Sequence, residues 1–170
     1  MWAKGKVFCI KGAQSIAVID PAKKRGEDGQ YTKYMSSETD IATIIELARA
    51  KGCEIRWYYT ELATGQGEAI PLKIIITEIP AGHVQPFHTH ENIHEVSVVL
   101  KGQITVIDSE DLVEEDQADI KGNGTILNRE DVVIESPGFR HTVANFSDQP
   151  ATFITHQTIR TDAEFVPDWK

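Results

Sequence analysis

The chain has 170 residues, of which 41% are hydrophobic and 25% charged, as expected for one globular domain with a sizeable core. Its formal net charge of −9 argues against a broad basic surface for nucleic acid or for anionic lipid. The sequence contains neither an apolar run long enough to span a membrane nor a secretory leader, so we expect a cytoplasmic protein.

The N-terminal third combines strand and helix patterns. Short apolar segments at residues 6–10 and 15–19 predict strands, and the polar, glycine-containing stretch 21–30 predicts a loop. A helix is predicted at about residues 38–51, with Ser37 as its N-cap. Its apolar residues recur at the spacing of one helical face: Ile41, Ile44, Ile45 and Ala48.

The remainder of the chain is predicted to form strands, because it is rich in β-branched and aromatic residues separated by Gly, Pro, Asn and Asp turns. The predicted strands cover residues 54–62, 72–79, 94–100, 103–108, 132–135, 141–145 and 151–159. Many short strands at regular spacing are typical of a β-sandwich or a β-barrel. The acidic stretch 108–124 between two of them is interpreted as a solvated loop.

Four of the six histidines fall within residues 82–95. His88 and His90 are two positions apart, so on an extended strand both point to the same face and could close on one ion. In the strand that follows, Glu95 and His94 point to opposite faces, and alternation alone does not determine which of them faces inward.

The spacing of these residues resembles the first sequence motif of the cupin superfamily. That motif reads G-x5-H-x-H-x3,4-E-x6-G, and its fixed positions are matched by Gly82, His88, His90, Glu95 and Gly102.

A second segment, SPGFRHTVAN, resembles the second cupin motif, in which Gly138, His141 and Asn145 keep the family spacing. Two positions depart from the motif. The proline is Pro137, one place late, and Glu130 stands where the motif begins with glycine.

The resemblance implies an all-β protein built on a single jelly-roll (cupin) β-barrel at residues 70–160. Residues 1–69 would form an N-terminal extension that contains strands and one α-helix and packs on the barrel, and residues 161–170 would form a C-terminal tail. The resemblance also implies a homodimer, with residues 1–19 as the candidate interface.

The family resemblance further implies a metal site formed by His88, His90, Glu95 and His141, with Glu95 pointing inward. Three neutral imidazoles and one carboxylate suit one divalent transition metal, namely Fe, Mn, Ni, Co or Zn, with coordination positions left open. In the family's enzymes this glutamate is also a candidate base, so Glu95 is the predicted catalytic residue.

Four further side chains are candidates for the substrate pocket: His156, Phe87, Arg56 and Tyr58. Arg56 and Tyr58 share one face of their predicted strand. His156 would approach the cavity only if its own face of the strand points inward, and strand alternation leaves open the opposite arrangement, with Thr155 and Gln157 inside.

Because the ligand set is similar to that of quercetinase-like cupins, the favoured function is a non-haem Fe(II) dioxygenase acting on a small organic molecule. The alternatives are a redox-neutral metal-dependent isomerase, lyase or cyclase, and a non-catalytic module that binds a small molecule. Each predicts a small-molecule partner and no contact with nucleic acid or membrane.

Overall fold

The structure is a computed structural model that describes residues 10–37, 40–60 and 72–159. Among these residues the strands are β1 (Ser15–Ile19), β2 (Tyr31–Met35), β3 (Glu54–Thr60), β4 (Leu72–Ile79), β5 (His88–Thr89), β6 (Ile93–Lys101), β7 (Gln103–Asp108), β8 (Thr125–Asn128), β9 (Val132–Glu135), β10 (Arg140–Ala144) and β11 (Ala151–Ile159). The helices are α1 (Ile41–Ala50) and α2 (Gln117–Asn123).

The strands form two antiparallel sheets. One has the order β2-β1-β3-β4-β11-β6-β9 and the other the order β5-β10-β7-β8. The family resemblance predicts one closed barrel, whereas the described strands form two hydrogen-bonded sheets with no ladder between them. The architecture is therefore that of a β-sandwich, as far as the described residues show.

The main core lies between the two sheets. Val99 and Phe153 from the seven-stranded sheet pack with Ile104 and Val143 from the four-stranded sheet, and all four are buried. Burial of each such side chain stabilises the fold by about 1.5–3 kcal/mol. The alternation of apolar and polar residues along these strands therefore fixes which face of each sheet lines the interior.

Most predicted strands coincide with observed ones. Five of them, at residues 15–19, 72–79, 103–108, 132–135 and 151–159, have the observed bounds. The strand predicted at 94–100 is one residue short at each end, and that predicted at 141–145 is displaced by one residue. The predicted strand 6–10 lies outside the described residues except for Ile10, which is not in a strand. Strands β2, β5 and β8 were not predicted, because they are short or expose much of their surface.

Helix α1 lies inside the predicted window, but its N-cap is Asp40 and not Ser37. The Asp40 carboxylate accepts hydrogen bonds from the backbone N–H of Thr43, at 3.4 Å, and from its hydroxyl, at 2.7 Å. Asp40 directly precedes the first helical residue, which is the position from which a side chain reaches the third N–H of a helix. Ser37 lies in a turn further upstream.

The acidic stretch 108–124 is not only a solvated loop, because it contains the second helix, α2. Ile120 of α2 is fully buried against a cluster that includes Phe87 and Ala144. The stretch is also bonded to the strands beside it, since Glu114 accepts a hydrogen bond from the Phe87 backbone N–H at 2.7 Å. Ile120, Leu112 and the Glu114 carboxylate thus attach this acidic segment to the strands.

The predicted N-terminal extension supplies strands to the large sheet, because β3 pairs with β4 and β1 lies between β3 and β2. The predicted boundaries at 69/70 and 160/161, together with the tail 161–170, lie outside the described residues. Within the described ranges, neither helix has the length and apolar character needed to cross a membrane.

Two motif positions, Gly102 and Glu130, both have a backbone conformation that favours glycine. Gly102, between β6 and β7, has φ 75°, and a Cβ there would lie 3.0 Å from the Ala151 Cα. Glu130, which replaces the leading glycine of the second motif, also has a positive φ, of 74°. The turn therefore keeps the left-handed backbone that glycine adopts without strain, and the glutamate bears the steric cost.

Candidate metal centre

Three histidines converge because two short strands pair. Strand β5 runs antiparallel to β10 with His88 opposite His141, and His90 follows directly after β5. The ring centroids are separated by 4.8 Å for His88 and His90, 4.5 Å for His88 and His141, and 5.4 Å for His90 and His141. One potential ligand nitrogen from each ring lies within 4.8 Å of the others.

Backbone carbonyls set the tautomers of two of these rings. Nδ1 of His88 lies 3.0 Å from the Pro86 carbonyl oxygen, and Nδ1 of His141 lies 3.1 Å from that of Phe139. Because a carbonyl oxygen only accepts, each Nδ1 carries the proton and each Nε2 presents a lone pair. The Nε2 of His141 is buried and has no hydrogen-bond partner among the described residues.

Burial also keeps the rings of His88 and His141 neutral. It lowers the pKa of His88 to about 4, an effect reinforced by the neighbouring His141, and it lowers the pKa of His141 as well. Neutral imidazoles with oriented lone pairs and second nitrogens bonded to carbonyls are what a divalent transition metal requires of its histidine ligands. The residues therefore fit a metal ion.

Glu95 lies beside this cluster. Along β6 the inward positions include Glu95 and Ser97, and His94 is exposed on the other face. The Glu95 Oε2 lies 3.2 Å from His90 Nε2 and accepts a hydrogen bond of 2.6 Å from Gln157 Nε2. Burial alone would raise the pKa of Glu95, but hydrogen bonds from His90 and Gln157 lower it to about 2. The carboxylate is therefore ionised at neutral pH.

A second carboxyl, Glu135, borders the cluster and was not predicted from the sequence. Strands β9 and β6 pair with Glu135 opposite Glu95, and Glu135 Oε1 lies 3.4 Å from His141 Nε2. Burial and the neighbouring charge of Glu95 together raise the pKa of Glu135 to about 8. In the sequence, Glu135 is visible only as a carboxyl residue at the end of an apolar strand. Its position near the histidines follows from the register of β9 against β6, which the sequence alone does not give.

The predicted ligands share one cavity of about 50 Å³, which His88, His90, Glu95 and His141 all line. Its remaining described lining includes three cations, two glutamines and several apolar residues, among them Arg25, Arg56, Lys73, Gln85, Gln157 and Phe153. The described lining of the cavity thus contains three basic side chains, although the chain as a whole is acidic.

Of the four predicted pocket residues, only Arg56 lines this cavity. Tyr58 is buried against Ala17 and Ile75. Phe87 packs in the cluster beneath α2, with the Arg140 guanidinium 4.2 Å from its ring centroid.

His156 lies on the face of β11 that points away from the cavity. Its neighbours Phe153, Thr155 and Gln157 line the cavity instead, and strand alternation then turns His156 outward. Of the two arrangements that strand alternation leaves open, the structure therefore has the one with Thr155 and Gln157 inside, and a role for His156 toward a substrate stays a prediction.

A buried polar network fixes Arg56 in place. The fully buried Glu54 carboxylate accepts hydrogen bonds from Arg56 Nε, at 2.6 Å, and from Gln85 Nε2, at 2.9 Å. His83 Nε2 lies 3.1 Å from the other carboxylate oxygen. Burial alone would raise the pKa of Glu54, but the Arg56 charge and the His83 hydrogen bond lower it to about 2.

A family model described as "Cupin domain" matches residues 75–156. No curated protein matches the chain significantly.

Solved structures with low sequence identity also match part of the chain. A Cupin 2 conserved barrel domain protein from Salinispora arenicola is 16% identical, with a TM-score of 0.45 over 61% of this chain and 73% of that chain. The Cupin_2 domain of an XRE family transcriptional regulator from Enterobacter cloacae is 15% identical, with a TM-score of 0.48 over 63% of this chain and 97% of that chain. A predicted oxalate decarboxylase from Thermotoga maritima is 17% identical, with a TM-score of 0.49 over 65% of this chain and 84% of that chain.

The matched segment contains both histidine motifs, all four predicted ligands and the strands that bring them together. Residues 75–156 are therefore a cupin domain.

Proposed function

We propose that this protein is a metal-dependent cupin enzyme acting on a small organic molecule. In this proposal His88, His90 and His141 hold one divalent transition metal, with Glu95 as the fourth ligand. The single observation that carries it is the convergence of the three imidazoles on one point, within 4.8 Å of one another, inside a buried cavity.

Backbone carbonyls and one side chain orient the proposed ligands before any ion binds. The Pro86 and Phe139 carbonyls orient the rings of His88 and His141, and Gln157 orients the Glu95 carboxylate. A bound ion would supply Lewis acidity or, as Fe(II), the redox chemistry of a non-haem dioxygenase. Because its pKa is lowered to about 2, Glu95 suits the role of a ligand better than that of a base at neutral pH.

We favour the Fe(II) dioxygenase because three neutral nitrogen donors and one carboxylate, with no thiolate, match the ligand set of such enzymes. A specific feature also supports the redox-neutral alternative, an isomerase, lyase or cyclase. Glu135 places a second carboxyl 3.4 Å from His141, and its raised pKa suits a group that gives or takes a proton.

Metal content and oxygen consumption test the proposal together. The purified full-length chain is loaded with Fe(II) under anaerobic conditions, its metals are measured by mass spectrometry, and oxygen uptake is recorded with a panel of phenols and diketones. We expect one iron per chain and substrate-dependent uptake. Tightly bound zinc or nickel without uptake would support the redox-neutral alternative. A chain that retains no divalent metal would contradict the proposal as a whole.

A further inference from the structure

Two carboxyl groups, those of Glu95 and Glu135, approach the histidine cluster at similar distances. Glu95 Oε2 lies 3.2 Å from His90 Nε2, and Glu135 Oε1 lies 3.4 Å from His141 Nε2. Glu95 occupies the fixed glutamate position of the first cupin motif, whereas Glu135 falls at a variable position of the second. The motifs therefore give Glu135 no role, although it lies about as close to an imidazole nitrogen as the proposed ligand Glu95 does.

The Glu135 carboxyl is buried and faces an imidazole lone pair. Its side chain is 8% exposed, and neither its Oε1 nor the Nε2 of His141 has a hydrogen-bond partner among the described residues. Because Nδ1 of His141 holds that ring's proton, the facing Nε2 is an acceptor, as the carboxylate oxygen is. Two buried acceptors that face each other without a donor cost free energy, and a cation bound by both removes that cost.

The pairing of β9 with β6 adds a second unfavourable contact. Glu135 lies directly opposite Glu95 in this antiparallel ladder, where the Cβ atoms of such a pair are typically about 4.5–5.5 Å apart. Like charges placed directly opposite each other destabilise a sheet. Residues 132–134 of β9 are apolar, and an apolar side chain at position 135 would avoid both unfavourable contacts. Stability alone therefore does not account for a carboxyl group at this position.

We propose that Glu135 is a further ligand of the metal ion, contributed from the sheet opposite His88 and His141. A divalent ion bound by both carboxylates replaces the two unfavourable contacts with attractive ones, and the two carboxylates balance its charge. The inference rests on the proposed function for the ion itself and deepens it. Five protein ligands leave a six-coordinate ion one position for the substrate, which then binds through a single atom. Glu135 thereby has a role other than the proton transfer that supports the redox-neutral alternative.

Co(II) is a suitable probe for this ligand, because its visible absorption changes with the number and geometry of the groups that bind it. The full-length chain is freed of metal by dialysis against a chelator and is then titrated with Co(II). Calorimetry gives the affinity and the number of ions per chain, and the visible spectrum is recorded at saturation. We expect the wild-type chain to bind one Co(II).

Two variants remove the proposed ligand. Glu135→Leu has no ligand atom at this position, and Glu135→Gln keeps the shape of the side chain without its charge. Glu115→Gln, at an exposed position in the acidic stretch 108–124, removes one negative charge elsewhere and serves as the control. We expect Co(II) affinity to fall about tenfold or more in both Glu135 variants and to stay unchanged in the control. Circular dichroism confirms that each variant is folded.

The spectrum distinguishes a ligand from a nearby charge. A metal-bound carboxylate predicts that the visible spectrum of Co(II) in Glu135→Leu differs from that of the wild-type chain. Weaker binding with an unchanged spectrum would show that Glu135 acts only through its charge, and would overturn the inference.

The outcomes also separate this inference from the proposed function. Wild-type affinity in both Glu135 variants would overturn the role of Glu135 while leaving the metal-dependent function intact. A wild-type chain that binds no Co(II) would refute both, because the ion is common to them.

Discussion

The buried carboxylate of Glu54 offers the strongest test of the energetics. Replacing it by glutamine keeps the shape of the side chain but removes its charge, and leaves the Arg56 guanidinium in the cavity wall without its counter-charge. The pKa of Glu54 is lowered from 4.5 to about 2 in the folded protein. That difference corresponds to about 3 kcal/mol of stability from the ionised carboxylate. Removing one member of a buried ion pair typically costs about 3–5 kcal/mol, which is the same range.

We therefore expect Glu54→Gln to lower the free energy of unfolding by about 3–5 kcal/mol at pH 7, measured by urea denaturation. The effect depends on pH with a definite sign. Because the folded-state pKa is depressed, the stabilisation is fully present above the unfolded-state value near 4.5 and is lost as the pH falls toward 2. The wild-type chain and the variant should therefore differ most above pH 5 and approach each other in stability below pH 3.

A surface ion pair supplies the control. Arg49 and Glu78 form a two-bond contact at 2.7 Å, but the Arg49 side chain is 52% exposed. Glu78→Gln should cost less than about 1 kcal/mol, because solvent screens exposed pairs. A loss in Glu54→Gln no larger than that in Glu78→Gln, or a difference from wild type that does not change with pH, would refute the argument. Adding Arg56→Met to Glu54→Gln should restore part of the stability, since no buried charge is then unpaired.

Four further predictions concern the metal centre and one turn. A chelator should lower the melting temperature of metal-loaded protein, since an ion at a hundred times its Kd stabilises the folded state by about 2.7 kcal/mol; an unchanged melt in a sample shown to contain metal would count against the site. His141→Ala should abolish metal retention and His94→Ala should preserve it, as judged by metal analysis after dialysis; equal losses would show that the inward face of β6 is wrongly assigned. In the metal-free protein, Glu135→Gln should raise the melting temperature more at pH 8.5 than at pH 5, because a carboxyl with a raised pKa costs increasing stability as the pH rises from its unfolded value; a uniform shift would contradict this. Glu130→Gly should stabilise the protein by about 1 kcal/mol in urea denaturation, because glycine adopts the positive φ without steric strain; a destabilised variant would refute that interpretation.

The alternation of apolar and polar residues was sufficient to predict the strands that supply most of the core. Strands β4, β7 and β11 are long, rich in β-branched residues and alternate clearly, and their predicted bounds are the observed ones. Strand β2 lacks this signal, because its sequence YTKYM lies at the edge of the sheet with every residue exposed or half-buried. Helix α2 was hidden by its composition, since a single buried residue, Ile120, anchors it.

The sequence predicted only those features of the site that follow from the spacing of residues in the two motifs. The motif spacing identified three histidines that the structure brings together, and the family resemblance placed Glu95 on the inner face. Glu135 could not be found in this way, because its relevance depends on which residue of β6 it faces. The same limit applied to His156, whose orientation is decided by the register of β11 against its neighbours. Register is a long-range property that alternation in a single strand does not specify.

The candidate site depends on two registers in two different sheets. In the seven-stranded sheet, the pairing of β9, β6 and β11 places Glu135, Glu95 and Gln157 side by side in one row. In the four-stranded sheet, the pairing of β5 and β10 places His88 opposite His141. The row and the histidines meet where Glu135 and His141 approach to 3.4 Å.

The Nδ1 of His141 carries that ring's proton, so its Nε2 presents a lone pair. This Nε2 and the Glu135 Oε1, which also has lone pairs, therefore face each other between the two sheets. Such a contact is favourable only when a positive charge, either a proton or a metal ion, lies nearby. A one-residue slip in either sheet would turn one set of side chains out of the interior and leave the other without a counterpart. The candidate metal centre thus lies where the two sheets meet, so an ion bound there would stabilise their packing as well as supply chemistry.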